Sequence, residues 1–201
     1  IDPGPRMRIG ALDISLTGPG ETDPAFQKAL KNLPLKNGAP LDHRDYDKSK
    51  ASLESVAAER GYFDFRFTRH ELRIDRNTIQ ALVLLQGVTG PRYRFGAVRL
   101  HQDVLEPDLL ERLVALKQGE LYSTTSLLDL QSTLVDSDYF SNVDIQPRRD
   151  QIVEEEIPID VTLTPKPKHR YSAGAGYGTD TGPRARLGYE NRLVNRKGHR
   201  F

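Results

Sequence analysis

The feature that most restricts the fold is an internal repeat. Arg8-Ile9-Gly10-Ala11-Leu12 returns as Arg94-Phe95-Gly96-Ala97-Val98, Leu35-Lys36-Asn37-Gly38 as Leu116-Lys117-Gln118-Gly119, and Tyr62-Phe63 as Tyr139-Phe140. The pieces keep their order while the offset drifts from 86 to 81 to 77 residues, as loop deletions in one of two copies would produce. Ordered self-similarity marks a structural unit used more than once. The 201 residues are therefore read as two small units rather than one large domain.

Each copy reads locally as the same string of elements. In the first, Leu12, Ile14 and Leu16 alternate with Asp13 and Ser15, the period of a strand with one buried face. Asp23 supplies a side-chain acceptor for an N-cap, and Pro24 takes the first helical position, where its missing N–H costs nothing. Phe26, Ala29, Leu30 and Leu33 follow on one helical face. Pro34 and Gly38 interrupt it, Asp42 caps again, and Tyr46, Leu53, Val56 and Ala57 line a second helix that Gly61 ends in a left-handed conformation. Phe63, Phe65 and Phe67 then alternate with Asp64 and Arg66, and the apolar run at 79–85 suits a central strand.

The order is β-α-α-β-β, and the second copy repeats it. Val98 and Leu100 mark its first strand, and Leu109, Leu110, Leu113 and Val114 follow Glu106-Pro107. Ser123 caps a helix striped by Leu127, Leu130 and Leu134, and Ile157, Ile159, Val161 and Leu163 alternate in the last strand. Asp138 stands where Gly61 stands in the first copy, so this helix is expected to end differently. In each Tyr-Phe pair the phenylalanine, Phe63 or Phe140, is expected in the core.

Units of this size lie near the lower limit for a self-sufficient core. Two helices over one face of a three-stranded sheet satisfy it and leave the other face and an edge strand available. The edge candidates are the strands after the Tyr-Phe pairs, 65–73 and 143–148, with Phe65, Phe67, Arg69, Val143 and Ile145 as the residues flanking an added strand. Such an edge accepts an extended chain through its backbone, and its side chains supply only selectivity.

Past residue 164 the composition changes. Pro165-Lys166-Pro167-Lys168 reads as a junction, residues 171–178 are rich in glycine and alanine, and 184–190 alternate polar and apolar. This is a hairpin pattern with its turn near 179–182. A strand pair without further neighbours leaves its edges open, so the segment is expected to be disordered in solution or paired with another chain.

Tandem β-α-α-β-β units with a glycine between the helices and a Tyr-Phe pair after the second resemble POTRA domains. The resemblance covers residues 6–166, divided at 6–89 and 90–166, and residues 167–201 are similar to the start of an outer-membrane β-barrel. It implies an α+β fold of three-stranded mixed sheets, each covered by two helices, leading into transmembrane strands. The segment 173–200 is most similar to the TamA branch of outer-membrane assembly proteins, with BamA and the two-partner secretion transporters as the nearest alternatives.

In the TamA branch three POTRA domains precede the barrel, so the resemblance implies the second and third here. It also implies a periplasmic position at the outer membrane of a Gram-negative bacterium, a TamB-like partner, and unfolded outer-membrane or autotransporter proteins as clients. Gly174, Gly176 and Gly178 would lie on the first barrel strand, at the closing seam, where glycine weakens packing and lets the seam open towards a client strand.

Composition narrows the alternatives. Lys plus Arg number 29 against 28 Asp plus Glu, which gives no global attraction to nucleic acid. Absence of cysteine removes disulfide frameworks, Cys-based zinc sites and thiol nucleophiles. No apolar run reaches the length of a membrane helix, a test that alternating barrel strands escape. The opening Ile1-Asp2-Pro3-Gly4 carries no signal-peptide pattern and reads as a processed or engineered end.

Chemical motifs are weak throughout. A Gly-x-Gly-x-x-Gly run from Gly176 meets Thr181 where glycine is required. Histidines at 43, 70, 101, 169 and 199 lack the spacing of helical metal ligands, and no serine sits in a Gly-x-Ser-x-Gly elbow. The acids at 42, 45 and 47 suit a helix start, and Glu154-Glu155-Glu156 a solvated hairpin loop. Arg184, Arg186, Arg192, Arg196, Lys197 and Arg200 would face a barrel lumen or lipid headgroups. No catalytic residue, cofactor or metal is expected, and an interaction and assembly module is favoured over an enzyme. The rival is a soluble scaffold in which the glycine-rich tail is only a linker, which the alternation at 184–190 disfavours.

Overall fold

The computed structural model describes residues 6–102, 110, 112–167, 169–178 and 182–191. The expected helix start at Glu106-Pro107 with Leu109, the hairpin turn at 179–181 and the basic tail from Arg192 lie outside the described residues. The chain forms two compact units, residues 1–94 with 119–125 and 153–156, and residues 95–118 with 126–152 and 157–201.

The first repeat runs β1 (Arg8–Thr17), α1 (Pro24–Lys31), α2 (His43–Arg60), β2 (Arg66–Asp75) and β3 (Gln80–Val88). The sheet order is β1-β3-β2, with β1 parallel and β2 antiparallel to β3, so the apolar run is the central strand. Val83 and Leu85 from β3 pack with Ile9, Leu16, Phe26, Tyr46, Leu53 and Ala57 into one core beneath the helices. Phe26 and Leu53 are fully buried; each such side chain stabilises by about 1.5–3 kcal/mol relative to exposure.

The helix boundaries follow their caps. Asp23 accepts the Ala25 N–H at 2.9 Å, and Asp42 accepts the Arg44 N–H at 2.9 Å. Gly61 ends α2 at φ 81°, and a Cβ there would lie 2.7 Å from Cβ of Tyr122. α2 also buries Ser49, whose Oγ donates to the Asp45 carbonyl at 2.7 Å and so needs no partner outside its own helix.

The second repeat runs β4 (Arg94–His101), helical residues at 110 and 112–113, α3 (Thr124–Asp136, directly after Ser123), β5 (Phe140–Pro147) and β6 (Glu156–Pro165). Its sheet order is β4-β6-β5, with β5 antiparallel to β6. The strict alternation of Ile157, Ile159, Val161 and Leu163 buries all four, together with Phe95, Leu110, Leu127, Leu130 and Leu134. Glu154 and Glu155 are exposed and form a turn with positive φ just before β6.

Two expectations are corrected. Asp138 takes the same left-handed conformation as Gly61, at φ 64°. Aspartate tolerates this region better than most residues, and its carboxylate is held by the Lys166 ammonium. In the first Tyr-Phe pair the tyrosine is the core member: Tyr62 is 3% exposed while Phe63 is half-buried. In the second, Phe140 is buried as expected. The difference lies in where the strand begins: β5 starts at Phe140, whereas β2 starts three residues after Phe63.

The repeated sequence pieces touch each other. In the first repeat the Arg8 guanidinium donates to the Gly38 carbonyl at 2.9 Å; in the second, Arg94 donates to the Gly119 carbonyl at 2.7 Å. Gly38 and Gly119 have nearly equal positive φ, 79° and 82°. The Arg-x-Gly-Ala and Leu-Lys-x-Gly matches are thus two halves of one clamp between the first strand and the loop joining the helices.

Beyond β6, β7 (His169–Gly178) and β8 (Gly182–Asn191) pair antiparallel in a regular register. The expected alternation is present, the two strands pair with each other, and their apolar side chains are exposed.

Candidate functional site

The β2 edge has no partner among the described strands. Phe65 precedes the strand and packs into the core, stacked on Phe26 at 5.9 Å and edge-on to Phe67 at 5.0 Å. A bulge at Thr68 puts one extra residue between Phe67, opposite Gly87, and Arg69, opposite Gln86. Phe67, His70, Leu72 and Ile74 therefore line the helix-covered side, and Arg69, Glu71 and Arg73 the bare side of the sheet. Phe65, Phe67 and Arg69 do not form one row as plain alternation implied.

On the bare side Glu71 serves two arginines, with Arg73 Nε at 2.9 Å and Arg69 Nε at 3.7 Å. On the other, Leu72 is partly buried while Ile74 remains 54% exposed. Lys50 from α2 reaches over the Phe67 ring at 5.8 Å.

β5 is also an edge. Val143 is buried and Ile145 half-buried on the helix-covered side, while on the other side Gln146 donates to Asp144 at 2.8 Å. Val143 is thus a core residue, and this edge offers mainly backbone. The opposite edge of the first sheet is partly closed: the Gly38 N–H donates to the Ile9 carbonyl at 2.7 Å, and the Ile9 N–H to the Ala39 carbonyl at 2.9 Å.

The hairpin has two unlike faces. Tyr171 lies opposite Tyr189, Ala173 opposite Leu187, Ala175 opposite Ala185 and Tyr177 opposite Pro183, so one face carries four successive apolar or aromatic pairs, preceded by the pair of His169 and Asn191. Tyr171, Tyr177 and Leu187 are 77%, 79% and 87% exposed. The other face sets Gly174 opposite Arg186 and Gly176 opposite Arg184, and Gly178 closes the strand opposite Gly182. Among the described residues no helix is long and apolar enough to cross a membrane, which says nothing of strands.

Two polar clusters escaped sequence reasoning. Asp23, buried at the start of α1, receives the Tyr62 hydroxyl at 3.1 Å and pairs with Arg60 and Arg92, each at 3.4 Å. Burial raises its carboxyl pKa, but the Ala25 amide, Arg60, the Tyr62 hydroxyl and Arg92 outweigh that and hold it below the usual carboxylate range. Arg92 also donates to the Arg60 carbonyl at 3.0 Å, so the cluster ties the segment after β3 to both helices. In the second repeat Asp160 lies within 4.0 Å of Arg99, His101 and Arg148, and its buried Oδ1 has no hydrogen-bond donor among the described residues. Neither cluster could be paired from sequence, because the partners are 32 and more residues apart in the first case.

The acids at 42–47 are engaged in the helix start. Asp42 is drawn down to about 2 by hydrogen bonds from the Arg44 side chain and amide. His43 and Asp47 lie 3.5 Å apart one turn on.

No protein-family model matches the sequence. Among solved structures, BamA from Haemophilus ducreyi lacking POTRA domains 1–3 superposes with a TM-score of 0.66 at 16% identity, over 92% of this chain and 34% of that one. BamA POTRA3–5 from Haemophilus influenzae gives 0.54 at 15% identity, over 80% of this chain and 62% of that one. The chain thus spans about a third of the first structure and under two thirds of the second. At these identities the likeness is one of fold: the chain has the α+β architecture of tandem POTRA domains.

Proposed function

We propose that this chain is the periplasmic polypeptide-binding and docking region of an outer-membrane barrel assembly or secretion protein, acting by protein contacts and by strand addition at the β2 and β5 edges rather than by catalysis. The observation that carries the reading is the succession, in one chain, of bare-edged POTRA-type sheets and a hairpin with an apolar band between Tyr171 and Tyr177 on one face. Outward apolar side chains with aromatic residues at the ends, backed by a polar inner face, are what a strand pair bordering lipid requires. The coverage supports the same reading. The structure confined to POTRA3–5 aligns with 80% of the chain and the other BamA structure with 92%, a difference close to the share of the chain that the hairpin occupies.

Within this reading Gly174, Gly176 and Gly178 lie on the strand at the barrel seam, and unfolded outer-membrane or autotransporter proteins are the clients. The tail sequence favours a TamA-like protein with a TamB-like partner, and the superpositions favour a BamA-like insertase as the second reading. Affinity purification of the full-length protein from bacterial envelopes separates them. Recovery with outer membranes together with a TamB-like protein is expected. Recovery with membranes but with BamA-type accessory proteins would move it to the second reading. A soluble periplasmic pool would leave a POTRA scaffold without a barrel.

A further inference from the structure

We propose that the β2 edge selects its partner by charge, taking an extended segment with two carboxylates four residues apart on one face and apolar residues on the other. The inference rests on the strand-addition reading and names the chemistry of the strand that would be added.

The bulge at Thr68 divides β2 into two rows. Arg69, Glu71 and Arg73 stand on the bare side, 47%, 45% and 58% exposed. Their neighbours on β3 are uncharged: Gln86 lies opposite Arg69, Leu84 opposite Glu71 and Leu82 opposite Arg73. Glu71 is shared between two guanidiniums, so one positive charge stays unanswered within the row. Arg66, the first residue of the strand, and Arg76, directly after it, are exposed. The nearby acid Asp75 is already engaged, accepting the Asn77 N–H at 2.8 Å to form the turn into β3. On the β3 side the bare face carries Asp13, in register with Leu84 from β1 and already accepting from Gln86 Nε2 at 2.8 Å, so the open edge is the side from which a further carboxylate would approach.

Beyond the exposed His70 the other row is apolar towards the edge, with Leu72 partly buried and Ile74 largely exposed. An added strand continues both rows, because successive side chains alternate between faces. It fits best with acids opposite Arg69 and Arg73, a neutral polar residue opposite Glu71, and apolar residues opposite Leu72 and Ile74. β5 offers no such match, since its bare side carries Asp144 and Gln146. The two edges therefore differ in what they prefer, although both offer backbone.

The test uses the full chain in detergent micelles and two peptides of this pattern, identical except for Glu or Lys at the two charged positions, each with a photoreactive residue. Opposite-charge cross-strand pairs shift affinity modestly, and two of them against two like-charge pairs separate the peptides about ten-fold. The acidic peptide is expected to bind more tightly by that factor, with crosslinks on β2 and a gap that narrows as salt rises. The variant Arg69→Glu/Glu71→Arg/Arg73→Glu keeps pairing within the strand and is expected to reverse the order. Arg69→Lys/Arg73→Lys is expected to keep it. Equal affinities with crosslinks on β2, or an order unmoved by the reversal, overturn charge selection and leave strand addition standing. Crosslinks absent from β2 with both peptides overturn both.

Discussion

Asp23 shows how much one residue can carry and how little of it is visible in a sequence. Its position before Pro24 marks it as a cap, and the structure bears that out. Its bonds to Tyr62, Arg60 and Arg92 join residues 37 to 69 positions away, which no local pattern signals. Asp23→Ala removes a cap worth about 1 kcal/mol and strips a carboxylate from two arginines, where a broken buried pair costs about 3–5 kcal/mol. Because Arg60 is a third exposed, a loss of about 2–4 kcal/mol in urea unfolding is expected. The carboxyl pKa is lowered by folding, so its stabilisation is complete above the ordinary value near ~3.9 and disappears as pH falls through the lower folded value. The melting temperature of the parent should therefore fall more steeply than that of Asp23→Asn below about pH 4. Parallel curves would show that Asp23 titrates alike in both states. At the two helix ends, Gly61→Ala is expected to cost about 1–2 kcal/mol or more from the left-handed backbone and the Tyr122 contact. Asp138→Gly should be close to neutral, because easier backbone geometry offsets the lost Lys166 pair.

Elements were largely legible because each is written in local terms: caps at Asp23 and Asp42, a left-handed stop at Gly61, and alternation in β6. The bulges at Gly10 and Thr68 were not, because a single inserted residue leaves no mark in composition. Gly10 lets Ile9 and Leu12, three apart, share the buried side, and Thr68 sends Arg69 to the face opposite Phe67. The strands after the Tyr-Phe pairs stand last in their sheets, whereas the faces their side chains occupy required the register. The repeated arginine clamp is an element-scale device with its own test. Arg8→Ala removes an exposed charge-assisted bond worth about 1 kcal/mol, and the Gly38 and Leu41 amides, which donate to the start of the chain at Ile9 and Met7, should exchange faster while β3 stays protected. Arg94→Ala should act likewise on the Tyr122 amide, which donates to the Tyr93 carbonyl. Unchanged exchange in both variants would mean that the loop backbone holds without its guanidinium.

For the whole molecule, the contrast between buried-core sheets and an exposed apolar hairpin defines the functional account. Ending the chain after Pro167 should leave the melting temperature of the POTRA-type units within about 2 °C, since β7 and β8 form a sheet of their own, separate from those of the two repeats. The same truncation should abolish detergent binding and self-association, because it removes Tyr171, Tyr177 and Leu187 from the surface. Sedimentation with and without detergent checks this, and equal behaviour of the two chains would remove the membrane role of the hairpin. The central claim is strand addition at the bare edges, and site-specific photocrosslinking in cells tests it most directly, with a photoreactive residue placed in turn along 66–75 and 140–147 of the full-length protein. Crosslinks to an outer-membrane precursor or periplasmic partner are expected to alternate along β2. Crosslinks confined to the outer faces of α1 and α2, with β2 and β5 silent, would contradict that claim and leave these units as helix-side docking platforms or spacers.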